Sequence, residues 1–128
     1  MVRQWEEFLI GPRDPATDLH VTLNRKGEFL IGARTFERLG KPDAAVLLFD
    51  KMNDTIGIMP AHSRVANAYP LKRRSQNGHR LLSAYRFCRH HGISVSRRVV
   101  FNDVTIDTEG ILELNLRTTT AIGKAPAV

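Results

Sequence analysis

The chain aligns with itself. Placing Gly27 on Gly78 sets Leu30 on Leu81, Ile31 on Leu82, Ala33 on Ala84, Phe36 on Phe87 and Arg38 on Arg89. Gly40 and Gly92 then close the same element one position out of phase. The matches fall at a turn, on an apolar face and at a helix cap, where backbone geometry and packing restrict the residue type. Two related units of roughly 50 residues sharing one core are the simplest architecture for such a chain.

Each unit reads as β-β-α-β-β. His20 to Arg25 alternates as a strand, Lys26-Gly27 turns the chain, and Phe29 to Ile31 is a second short strand. Ala33, Phe36 and Leu39 share one face of a short helix, which Gly40 caps and Pro42 prevents from continuing. Ala44 to Phe49 and Thr55 to Met59 are strands about an acidic turn, with Pro60 expected to end the second. In the other unit Ala68 to Arg74 is expected as one strand, Asn77-Gly78 as a hairpin turn, and Arg80 to Ala84 as a strand. Tyr85 to His91 is helical up to Gly92. Arg97 to Phe101 and Ile111 to Leu116 supply its last two strands, with Val104 and Ile106 as an extra piece.

These readings divide the chain into an N-terminal arm (1–19), a first repeat (20–60), a connector (61–67), a second repeat (68–117) and a C-terminal tail (118–128), all in one domain. The expected class is mostly β with short helices. No apolar run approaches the roughly 18 residues of a membrane span. Cys88 is the one cysteine, so no intrachain disulfide exists and a cytoplasmic location is expected.

Charge separates the halves. Residues 1–63 hold eight Lys/Arg against nine Asp/Glu, whereas residues 64–128 hold eleven against four. A basic half points to a polyanion, and nucleic acid is the commonest one for a soluble protein.

The stretch from Lys26 to Gly40, with its Gly turn, apolar strand and short helix ending in Leu39-Gly40, resembles the SpoVT/AbrB swapped-hairpin family. Ala44 to Met59 supplies the strand, acidic turn and strand that follow in that family, and Gly78 to Leu116 is similar to a more divergent copy. Gly32 and Ser83 stand where the family usually opens its helix on proline. Two tandem copies resemble the MraZ-type arrangement. The resemblance implies a pseudo-two-fold swapped-hairpin barrel completed by one chain. It also implies a DNA-binding role in transcription regulation or as an antitoxin-like binder.

The candidate nucleic-acid contacts are Lys72, Arg73, Arg74, Arg80, Arg86 and Arg89, with Arg97 and Arg98 adding to the same half. Arg25 and Lys26 occupy the equivalent first hairpin. Arginine suits bidentate phosphate contact, and Gln76 and Asn77 have the groups to reach base edges. Double-stranded DNA is the expected partner, ahead of RNA, because the basic half shows no aromatic stacking pattern. The alternative is a protein-interaction module that uses Trp5 and Phe8 of the arm, as a homodimer or with another protein.

No cofactor and no enzymatic activity are expected. His90 and His91 are adjacent, so on a helix they point about 100° apart and rarely share one ion. His62 and His79 are isolated, and no Cys/His set has zinc spacing. Cys88 lies beside Phe87 in no nucleophile signature. Asp103, Asp107 and Glu109 lack the further ligands of a calcium loop.

Overall fold

The computed structural model describes residues 3–5, 19–74 and 76–122. The first copy contains β1 (Val21–Leu23), β2 (Glu28–Ile31), α1 (Ala33–Arg38), β3 (Ala44–Asp50) and β4 (Thr55–Ala61). The chain continues through β5 (Ala68–Pro70), β6 (Lys72–Arg73), β7 (Arg80–Ser83) and α2 (Tyr85–His91). It then forms β8 (Val99–Phe101), β9 (Val104–Ile106), β10 (Leu112–Asn115) and β11 (Thr119–Ala121). The fold is mostly β. No helix among the described residues is long and apolar enough to cross a membrane.

The strands form two antiparallel sheets, ordered β11-β8-β1-β2-β7-β6 and β5-β3-β4-β10-β9, and neither closes on itself. The repeat is written into the registers. Leu30 stands opposite its own counterpart Leu81, with Phe29 opposite Leu82 and Ile31 opposite Arg80. These flanking pairs exchange under the Gly27-on-Gly78 alignment, so a local two-fold passes between β2 and β7. The second sheet repeats this about Gly57 and Glu113, with Ile56 opposite Leu114 and Ile58 opposite Leu112.

The core lies between the sheets. Phe29, Ile31, Ile56, Ile58, Leu82, Leu112 and Leu114 are fully buried. The Phe29 and Phe101 rings stack at 6.2 Å. Each such side chain contributes about 1.5–3 kcal/mol by leaving water, and their alternation along the strands makes a one-residue slip of register costly.

The helices cross over between the copies. A Cβ on Gly27, in the first hairpin turn, would lie 3.0 Å from Cα of Tyr85 at the start of α2. The Ala84 N–H donates to the Gly27 carbonyl at 2.8 Å. A Cβ on Gly78, in the second hairpin turn, would lie 3.2 Å from Ala33 Cβ at the start of α1. Each helix therefore packs against the hairpin turn of the other copy. Both hairpin glycines have positive φ, +76° and +87°.

Four expectations on the strands need correction. Ala68 to Arg74 is not one strand: β5 joins the second sheet and β6 the first. The break is at buried Leu71, whose N–H is taken by the Asp43 carbonyl. Pro60 does not end β4, which runs on to Ala61. Pairing with β10 stops at Ile58, so around Pro60 the strand has a neighbour on one side alone, where proline is tolerated. The partner of β10 that corresponds to β3 is β9, while β8 crosses to the first sheet beside β1. Finally, the expected tail at 118–128 begins as a strand, because β11 pairs along β8.

Candidate nucleic-acid interface

The first hairpin turn is built by Asn24. Its Oδ1 accepts the N–H groups of Lys26 and Glu28, both at 3.0 Å, and its Nδ2 donates to the Glu28 carboxylate at 2.9 Å. This side-chain turn leaves Arg25 and Lys26 exposed at the tip. The carboxylate of Glu28, the nearest acid in sequence, is held by Asn24.

The crossing of α2 onto this turn creates a cleft of about 190 Å³. Arg25 lines it from the hairpin and Arg89 from the helix. The Arg89 guanidinium donates to the Tyr85 hydroxyl one helical turn earlier, at 3.2 Å. Buried Leu23 and Cys88 also line the cleft, and none of its lining residues is acidic. Burial pushes the Cys88 thiol up, which keeps it protonated and a poor nucleophile. Arg86 is exposed on α2, in the first turn of the helix, and lines a different groove.

The second hairpin has a different character. Lys72 stands opposite Leu81 and Arg73 opposite Arg80. The Arg74 N–H donates to the His79 carbonyl at 2.9 Å. Strand alternation places Lys72 and Arg74 on one face and Arg73 on the other. Arg80 is half-buried, with Cζ 4.2 Å from the Phe36 ring centroid, and it donates weakly to the carbonyls of Gly78 and His79. That contact joins the second hairpin to α1, so Arg80 acts as packing as well as charge. The matching cleft, about 220 Å³, holds Gln76, Asn77 and Lys41 together with Glu37. Arg74 and Arg98 line a small groove on the outer face of the six-stranded sheet, with Leu30 and Leu81.

The eight candidate contacts thus fall into two groups. Arg25, Lys26, Arg86 and Arg89 lie on the first hairpin and α2, Arg25 and Arg89 lining the cleft between them and Arg86 facing the separate groove. Lys72, Arg73, Arg74 and Arg80 lie around the second hairpin. Sequence reasoning put Arg86 and Arg89 beside Lys72 to Arg74 because they are close in sequence, and the crossing of the helices separates them. Trp5 is 83% exposed, and Phe8 lies outside the described residues.

Other polar groups are committed to turns. Asp107 Oδ1 accepts the N–H groups of Glu109 and Ile111, both at 2.9 Å, and so shapes the β9–β10 hairpin. Among the described residues no cluster of three His, Cys, Asp or Glu could hold a metal ion. No family model matches the chain, and no curated protein or solved structure matches it either.

Proposed function

We propose that the chain is a single-polypeptide swapped-hairpin barrel that binds double-stranded DNA, as a transcriptional regulator or antitoxin-like binder. The observation that carries this reading is the basic cleft in which Arg25 of one copy and Arg89 of the other meet with no acid among the lining residues. The exchange of helices between hairpins supports the swapped arrangement. Leu71 between β5 and β6, and residues 102–103 between β8 and β9, carry the chain from one sheet to the other, as a barrel requires.

In this reading Arg25, Lys26, Arg86 and Arg89 hold phosphates at one end of the molecule. Lys72, Arg73 and Arg74 extend the contact at the other. Phosphate contacts position the protein and carry no sequence information. The four contacts at the first end alone give a salt slope of about −3.6, so a fourfold rise in salt weakens binding at least ~100-fold. Fluorescence anisotropy with a random duplex at about 50 and 200 mM salt tests this. A fall of that order supports the reading, and no binding at the lower salt defeats it.

The exposure of Trp5 favours a second reading, protein interaction through the N-terminal arm. Deleting residues 1–12 separates the two, since loss of a protein partner with DNA binding intact assigns the arm to an interface.

A further inference from the structure

We propose a nucleotide site on the far side of α2, where a base not stacked in a duplex enters an aromatic groove and its phosphate meets Arg86. The groove holds about 370 Å³, within the range of small-ligand pockets. It lies between β3, β5 and α2. Leu47 and Phe87 supply apolar surface, Tyr69 and His91 further ring surface, and Asn67 an amide at its edge. Arg86 and His90 complete the lining, and none of the lining residues is acidic.

Three of the rings at the groove pack against one another. His91 lies 4.7 Å from the Phe49 ring and 4.9 Å from the Phe87 ring, and Phe49 and Phe87 meet edge to face at 6.3 Å. Partial desolvation against Phe49 and Phe87, then His90 and Lys51 nearby, lowers the His91 pKa and so favours its uncharged ring. An aromatic platform beside a guanidinium is what a nucleoside phosphate needs, because every base has a stackable face and Arg pairs with phosphate. The amide of Asn67 has both a donor and an acceptor for a base edge.

The repeat does not impose this groove. It depends on β5, which flanks β3, and among the described residues no strand flanks β9 in the same way. The site shares Arg86 with the duplex reading but does not depend on that reading. Two sources supply the same chemistry, a free nucleotide and an unpaired nucleotide of a single strand.

The test is amide chemical-shift mapping of the full chain with three probes: AMP, ribose 5-phosphate, and a ten-residue oligo-dT. AMP or oligo-dT is expected to move the amides of residues 67, 69, 86, 87, 90 and 91, and ribose 5-phosphate much less. Movement by AMP identifies a free-nucleotide site, and movement by oligo-dT alone identifies an unpaired base in a strand. Tyr69→Leu keeps an apolar strand residue but removes a stacking ring. It should weaken binding of whichever probe works roughly five- to 150-fold, the effect of losing one stacked base, and leave random-duplex affinity unchanged. Asn67→Ala, in the exposed connector, checks that the loss is not misfolding and should also weaken binding. The proposal is overturned if both AMP and oligo-dT leave these amides unmoved, if both bind Tyr69→Leu as well as the parent, or if both shift only the Arg25–Arg89 cleft.

Discussion

Replacing Gly27 with alanine should destabilise the protein far more than the same change at Gly92. Both residues have positive φ, +76° and +67°. An L-residue there costs about 1–2 kcal/mol, offset in part by about 0.4–1 kcal/mol from a stiffer unfolded chain. At Gly92 a new Cβ meets nothing within 4 Å, so the net cost should be on the order of 1 kcal/mol. At Gly27 it meets the Tyr85 Cα at 3.0 Å, and a backbone atom cannot rotate aside. Overpacking adds about 1–3 kcal/mol, for a total of ~2–4 kcal/mol. Urea unfolding of the two variants measures the difference. The excess exists only if α2 packs on the hairpin of the other copy. Equal costs, within about 0.5 kcal/mol, would refute the crossing of helices and hairpins.

Two further outcomes follow from local geometry. Arg117→Ala removes an ion pair to Asp54 at 3.1 Å and a bond to the Met52 carbonyl at 2.8 Å, but both side chains are about half exposed. Its cost should stay under about 1 kcal/mol by thermal or urea unfolding, and a larger loss would show that this link between the β3–β4 turn and residue 117 is structural. His91 should titrate below 6.5 by NMR, because burial, then His90 and Lys51, disfavour its charge. The unfolded chain therefore takes up this proton first as pH falls, so stability declines on acidification through the region just below 6.5. Lys51→Ala should raise the midpoint, and a midpoint at or above 6.5 in the parent protein would contradict the packing of His91 against Phe49 and Phe87.

Local chemistry was legible in the sequence. The sequence marks Gly27 and Gly78 as turn residues and Gly40 and Gly92 as helix caps, and all four have positive φ. The α2 boundaries, Tyr85 to His91, follow from an apolar face and a terminal glycine. What the sequence concealed was pairing at a distance. Leu71 reads as one more residue of an alternating strand, and only the positions of the two sheets show that the chain changes partner there. Thr119–Ala121 has too little apolar pattern to announce a strand, and it becomes one because β8 offers it an edge. The division of the basic residues was hidden for the same reason, since Arg89 lies fifteen positions from Arg74 in sequence but shares its cleft with Arg25. The groove beside Tyr69 has no signature in the sequence, because Leu47, Tyr69 and His91 come from three separate elements.

The most direct test of the central claim compares duplex DNA binding by Arg25→Ala/Arg89→Ala with that by the parent across a salt series. Both residues are exposed and line one cleft, so the fold should survive their loss. If the cleft holds phosphates, affinity falls for every duplex sequence and the salt slope becomes shallower by about 1.8, the share of two contacts. An unchanged affinity and slope would show that the duplex, if bound at all, lies elsewhere on the molecule.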